Sequence, residues 1–468
     1  MCCKEDSISY NAWERRKEGS FQRIHCATEE LLKMSAGKDV VIVGAGIGGL
    51  SAAALMSKQG YKVKLFEKES RIGGRAFSYQ YEGCTLDSGI QVAAFGSAGD
   101  LGKVLKTTGA DKYVPMGKDD EPQLMIADKD YTFPRNPIEL NKWQAIPVDA
   151  RMDMADIALQ AVSKPIEELK KYDETSLHDF LSERSQDEKY HAVMEALARC
   201  NLHVYSSKVC SQWAFLALYR SNLETSKFQA YPKQGVSSIS TGLEKVVKEN
   251  KGEIKLKTEV KAVLVEKGKT KGVQLADGST VESGIVVLNL PPKNLVKLLG
   301  TSAPKDLAEK AKNLKPVMDV FVSLCTDKPV RNGSQTLYFV LGTALYEMLE
   351  PTNINPGLAP PGKHIVKISH TVENESDFKK TEEAMLGDFQ KKFPDVKVHW
   401  SKVTTNGKEN PAYSAGEFVG NQKYRLDVKC KEIEGLYFVG DGTGDPAPGM
   451  NVAAASALKL VKMLSTKS

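Results

Sequence analysis

From residue 39 the chain switches repeatedly between strand and helix periods. Asp39-Val-Val-Ile-Val43 is an almost unbroken apolar run, the pattern of a strand buried on both faces of a parallel sheet. Leu50 to Gln59 is rich in Ala and Leu and stops at Gly60, which predicts a helix with a C-terminal glycine, and Lys62-Val-Lys-Leu-Phe66 predicts a second strand ending at Glu67. Residues from about 110 to 230 shift to helical spacing with few strand signals, as over Asp153–Tyr172 and His178–Asn201, and predict a mostly helical cap. A helix over Ser240–Glu249 then precedes strand-like runs at Glu253–Leu256, Val260–Val265, Thr270–Leu275 and Gly284–Leu288. Val317–Leu324, Thr336–Leu341, His364–Val372 and Lys397–Val403 predict an antiparallel sheet, with an amphipathic helix over Glu375–Lys392. A last strand at Gly435–Gly440 leads through a Gly/Pro turn into an Ala-rich helix over Val452–Leu464.

Gly44-Ala45-Gly46-Ile-Gly48-Gly49 lies between the first strand and the first helix. Gly44 suits a tight turn, Gly46 lets backbone approach a pyrophosphate, and Gly49 lets helix and strand meet closely. The free N–H groups and dipole of the helix N-terminus favour the phosphate charge, and Glu67 is placed to accept from a ribose diol. Strand, glycines, helix, glycine stop, strand and acid occur in the required order, which is far more specific than the glycines alone. The glycines also break the apolar run Val40–Met56, which otherwise has nearly the length of a membrane span.

Lys68-Glu-Ser-Arg71-Ile-Gly73-Gly74-Arg75 follows at once, a second glycine pair with cations to set beside a pyrophosphate. Here the sequence resembles the flavin-containing amine oxidase and phytoene desaturase superfamily, and the resemblance extends over nearly the whole chain from residue 37. It implies FAD rather than NAD; many members hold the flavin through a cysteine near the C-terminal motif, and because the nearest here, Cys430, lies before the last strand, non-covalent FAD is expected. It places Leu86-Asp87-Ser-Gly89-Ile90-Gln91 beside the flavin and brings the backbone of Val260 to the adenine. Tyr231-Pro-Lys-Gln-Gly235 resembles the family's YPxGG stretch, with Val236 in place of the second glycine. At the other end, Gly440-Asp441-Gly-Thr-Gly leads to Gly449-Met450-Asn451-Val452. Asp441 is read as accepting from the ribityl hydroxyls. The N–H groups near Met450, Asn451 and Val452 are read as stabilising negative charge at the flavin pyrimidine edge. The expected fold is α/β: a Rossmann-like, glutathione-reductase-like FAD-binding domain from discontinuous segments (37–110, 231–295 and 425–468). A substrate domain supplies a helical cap (111–230) and an antiparallel sheet (296–424), with residues 1–36 as an unrelated tail.

Composition narrows the picture without redirecting it. With 468 residues, 41% hydrophobic and 26% charged, the chain is long enough for two or three structural units and is neither disordered nor fibrous. A formal charge of +5 over this length gives no reason to expect nucleic acid. The eight cysteines show no CxxC pair or zinc-like spacing, so a metal site is not expected and a reducing, cytoplasmic location is. Residues 1–36 balance six basic against six acidic residues and have no apolar core, unlike a secretory signal or a transit peptide. Without such a signal, the glycosylation patterns at Asn332 and Asn374 carry no weight.

No side-chain constellation of a hydrolase is present. His178, His191 and His203 in the cap are read as core or surface residues, Trp213, Phe215 and Tyr219 as a core stripe, and no general base is nominated. A flavoenzyme tolerates this, since the cofactor carries the redox chemistry. The expected activity is dehydrogenation or isomerisation of a small apolar, carotenoid-, retinoid- or isoprenoid-like substrate. Such a substrate would favour loose contact of the cap with a membrane surface, although no amphipathic helix is basic enough to carry that expectation by itself. Amine oxidation is the alternative within the family. Its members often carry a lysine near the flavin on the strand after the Pro-Pro segment, where Met318-Asp-Val-Phe-Val-Ser offers none. A prenyl-binding escort resembling Rab GDP-dissociation inhibitors is the alternative outside catalysis, and Glu67, Gly74-Arg75 and Asp441 argue against it. The electron acceptor and oligomeric state have no signature.

Overall fold

The computed structural model describes residues 37–89, 92–118, 122–126, 128–225, 229–331, 336–340, 342–413, 418–444, 447 and 449–466. Two sheets organise it. The first is parallel, five-stranded and ordered Leu436–Phe438, Val286–Leu288, Asp39–Val43, Lys62–Phe66, Glu253–Lys255, so three distant stretches of chain build one layer. Register pairs Ile42 with Leu65 and with Val287, and Val287 with Tyr437. Helices Ile47–Lys58, Ser237–Glu249 and Met450–Ser465 cover one face, burying Leu50, Met56, Leu65, Leu243 and Leu460 in a common core. On the other face the antiparallel strands Val260–Glu266, Lys269–Leu275 and Thr280–Glu282 pack Val263 and Val273 against Val41, Phe66 and Leu288.

The second sheet has seven strands, ordered Val398–Asn406, Met318–Thr326, His364–Val372, Glu347–Leu349, Thr336–Val340, Gln123–Ile126, Lys129–Thr132. It is antiparallel except where Thr336–Val340 runs parallel to Gln123–Ile126. Alternation gives its faces different neighbours. Val320, Val322, Leu324 and Ile368 meet Met385 and Phe389 of the helix Phe378–Lys392. Phe321, Cys325, Leu349 and Ile365 meet Cys84, Leu86 and Tyr231, which belong to the segments around the first sheet. Farther along this second face, Leu124, Ile126, Tyr338 and Val340 are covered by the helices Glu188–Leu202 and Gln212–Thr225.

Three expectations change. The segment after residue 110 is not only helical: its hairpin Gln123–Ile126 and Lys129–Thr132 forms one edge of the large sheet, strands too short to stand out from sequence. The helical run read over Asp153–Tyr172 is Val148–Ser163 and Ile166–Leu169, divided at Pro165, which lacks the N–H needed to continue a helix. The first helix begins at Ile47 rather than Leu50, because Gly46 takes the extended conformation of an N-cap (φ −73°, ψ 177°). Among the described residues no helix is long and apolar enough to cross a membrane.

Candidate flavin and substrate site

The glycine segment is a backbone junction with no room for side chains. Gly44 has φ +96°, a conformation that only glycine adopts without strain, and a Cβ there would lie 2.4 Å from the Asn289 carbonyl oxygen. Cβ atoms at Gly46 and Gly48 would lie 2.8 and 2.7 Å from the Asn289 side chain, and one at Gly49 would lie 2.0 Å from the Gly44 oxygen. Asn289 thus completes the junction, its Nδ2 donating to the Gly44 oxygen at 3.2 Å. It stands just past the strand Val286–Leu288, and no local pattern singled it out. The second glycine pair closes on the first: Gly73 N donates to the Ala45 oxygen at 2.8 Å, and a Cβ on Gly74 would lie 3.2 Å from the Gly46 Cα.

The helix Ile47–Lys58 starts on this junction with no side-chain cap and no acidic residue in its first turn, which leaves its N–H groups for an anion. Glu67 sits beside it, accepting from Ala45 N at 2.7 Å and Glu69 N at 3.0 Å. Thr258 N donates to the Glu67 carbonyl at 2.8 Å, which draws the segment leading to Val260 up to the end of this strand. Val260 itself is buried and pairs with Leu275. A Cβ-free cradle, an uncapped helix start and an acid at the neighbouring strand end fit a dinucleotide.

The C-terminal motif comes to the same place. Arg75 and Asp441, 366 positions apart, form a half-buried ion pair, and Asp441 also accepts from Tyr413 N at 2.8 Å. Buried Arg425 fixes this turn by donating to the carbonyls of Asp441 (2.7 Å), Gly444 (2.8 Å) and Tyr413 (3.1 Å). The helix Met450–Ser465 also lacks a side-chain cap, and a Cβ on Gly449 would meet open space.

Several residues sit differently from their sequence reading. Lys68 is exposed and pairs with Glu69 at 3.5 Å. The Asn451 side chain is a clamp, accepting from Leu101 N at 2.9 Å and donating to the Ala94 oxygen at 2.8 Å. Met450 and Val452, read for their backbone N–H groups, bury their side chains, Met450 in the helix-covered core. Gly89 follows the strand Cys84–Asp87 into the boundary between the two sheets. Ile90 lies outside the described residues.

Asp87 connects the motifs at that boundary. It is buried and accepts from Tyr231 OH at 2.6 Å, Ser78 Oγ at 2.7 Å and Val236 N at 3.0 Å, tying the Tyr231 segment to the strand before Gly89. Val236 is compatible with this arrangement because its backbone N–H makes the contact. The backbone oxygen of Asp87 accepts from Lys367 Nζ at 2.5 Å. Lys367 is 1% exposed, and burial pushes its ammonium down to about 8 against the opposing charge of Asp87. It escaped the sequence reading because it lies on the strand His364–Val372, paired with Ser323 rather than placed on the strand inspected for a lysine. Deeper under the cap, Phe215 and Tyr219 stack with centroids 5.8 Å apart. They line a cavity of about 20 Å³ with Tyr338 and Gln229, whereas Trp213 is wholly core.

Comparison with known proteins agrees with this architecture. The family model described as flavin containing amine oxidoreductase matches residues 47–459. An uncharacterised protein of Methanocaldococcus jannaschii is 25% identical over 429 residues, 91% of this chain and 99% of its own. A 4,4'-diapophytoene desaturase (4,4'-diapolycopene-forming) from Methylomonas is 26% identical over 280 residues, and the match spans 55% of this chain and about half (54%) of that protein. The crystal structure of an oxidoreductase from Methanosarcina mazei superposes with a TM-score of 0.78 at 23% identity, covering 91% of this chain and all of that one. Sheet order, glycine junction and family match together place the chain in the flavin-containing amine oxidoreductase family.

Proposed function

We propose that the protein is an oxidoreductase that binds FAD non-covalently and dehydrogenates or isomerises a small apolar, isoprenoid-like substrate. The Arg75–Asp441 contact carries this reading, since it unites the dinucleotide fingerprint with the C-terminal motif in one site. Glu67 would hold the adenosine ribose, the N–H groups after Gly46 the pyrophosphate, Asp441 the ribityl chain, and the backbone at 450–452 the flavin pyrimidine edge. Bound there, the flavin supplies hydride acceptance, and the protein supplies orientation and electrostatics. Non-covalent attachment is favoured because Cys430 is buried near Glu432, ahead of the strand Leu436–Phe438. The kinship with a carotenoid desaturase supports an apolar substrate, as do Leu124, Ile126, Tyr338 and Phe215 beneath the cap. Exposed Val148, Met152 and Leu159, on one face of the helix Val148–Ser163, suit contact with the lipid phase that holds such a substrate.

Amine oxidation is the second reading, favoured by buried Lys367 on the flavin-domain side of the large sheet. The test is the ultraviolet-visible spectrum of purified protein before and after heat denaturation, followed by anaerobic bleaching with polyenes and then amines. Release of FAD and bleaching by a polyene support the proposal. Bleaching by amines alone transfers it to the second reading, and colourless protein that refuses added FAD overturns both.

A further inference from the structure

The sheet face that meets the flavin-binding segments carries a second polar cluster, separate from Lys367. Asp319 lies on the same side of its strand as Phe321, two residues beyond Val317, which bridges to Ala412 next to Tyr413, the residue whose N–H reaches Asp441. Asp319 is 1% exposed and makes three hydrogen bonds. Oδ1 accepts from Thr371 Oγ1 at 2.8 Å and lies 3.2 Å from His203 Nδ1, and Oδ2 accepts from Asn406 Nδ2 at 3.1 Å. A buried carboxylate so supplied with donors remains ionised, and it holds the proton of the imidazole on Nδ1. Nε2 makes no hydrogen bond among the described residues, and the side chain is 21% exposed, which provides a route for a proton to solvent. His203 occupies a left-handed backbone position (φ 48°, ψ 50°) just past the helix Glu188–Leu202, so the chain turns there to bring the cap's ring onto the sheet.

We propose that His203, oriented by Asp319, is the base that accepts the substrate proton through Nε2. The inference rests on the oxidoreductase reading above. Desaturation removes a hydride and a proton from adjacent carbons. The hydride and its electron pair leave with the flavin chemistry, and the electron pair of the second C–H bond becomes the new π bond. Its proton passes to Nε2 and then to solvent, while Asp319 stays ionised and balances the imidazolium. The charged groups facing the ring from other strands are Asp319 and Glu347. Burial pulls the imidazole down, but these two acids and the Asp319 hydrogen bond leave it above the ordinary histidine value, while the carboxyl of Asp319 is held below its own.

The test uses full-length FAD-loaded protein and two readouts. Without turnover, histidine ring NMR should show His203 titrating above its ordinary value and falling by roughly one pH unit or more in Asp319→Asn; an unchanged titration overturns the pairing. Anaerobic flavin bleaching by phytoene, retinol or benzylamine is then followed against pH. The rate should rise through the same titration. His203→Asn, a residue that accepts the left-handed position, should lose that limb and slow by about 100-fold. A variant that bleaches with the wild-type rate and limb overturns the role of His203 alone. A wild-type flavin bleached by none of the probes overturns the oxidoreductase reading and this role with it.

Discussion

The glycine junction around residues 44–75 and the inner face of the seven-stranded sheet do comparable work by opposite means. At the junction most contacts are made by backbone, with the Asn289 and Glu67 side chains closing it from outside: the spaces at Gly44 and Gly49 are filled by carbonyl oxygens. On the sheet face the contacts are made by side chains, Asp319, Lys367 and Thr371 from two paired strands and His203 from the end of a cap helix. A site made from backbone must be spelled out in consecutive residues, because only glycine leaves the space. A site made from side chains needs only isolated residues from separate segments.

The sharpest way to break this comparison is at the junction. Gly46→Val places a branched Cβ 2.8 Å from the Asn289 side chain in the junction, so the variant should purify folded by circular dichroism with little or no flavin. Full flavin content would mean that the junction does not hold the cofactor. Next in size is Lys367→Met. The lysine ionises near 8 in the fold against roughly 10.4 unfolded, so between those values the unfolded chain binds the extra proton and stability rises with pH. Denaturant unfolding from pH 7.5 to 10.5 should show wild type gaining about 3 kcal/mol relative to the Met variant, an upper figure for a buried group. Parallel pH profiles for the two proteins would show that the ammonium is not buried as described.

Glu67→Ala should weaken FAD by about 1–3 kcal/mol, the scale for removing the partner of buried polar groups, as read by equilibrium titration. An unchanged affinity would remove Glu67 from the site. An effect of similar size belongs to the boundary between the two regions. Tyr231→Phe deletes one of three hydrogen bonds to the Asp87 carboxylate and should cost about 1–3 kcal/mol by denaturant unfolding, with flavin content nearly kept. Loss of flavin at unchanged stability would make Tyr231 part of the cofactor site.

Legibility followed the same division. Strand Lys62–Phe66 and strand His364–Val372 occur where their apolar patterns put them, because each is a buried run bounded by polar residues. The hairpin at 123–132 was missed because four-residue strands barely exceed noise and gain their stability by joining an existing sheet. Asn289 and Lys367 were missed for a related reason: each is chemically ordinary in its own segment and matters only through what a distant segment sets against it. His203 was read as a structural residue, and in isolation it is one; Asp319, 116 positions away, changes that reading.

The amino-acid sequence alone determined the dinucleotide fold, the order of its first βαβ unit and the flavin family. Those features depend on local backbone geometry, which glycines and apolar periods encode directly. Tertiary structure alone decided that Arg75 meets Asp441, that Asp87 gathers the Tyr231 segment, and that Lys367 and the His203–Asp319 pair share one sheet face. Asp87, Asp319 and Lys367 stand on strands, where a one-residue slip in register would turn them to the opposite face, and Arg75, Asp441, Tyr231 and His203 come from turns and a helix end that sheet order sets in place.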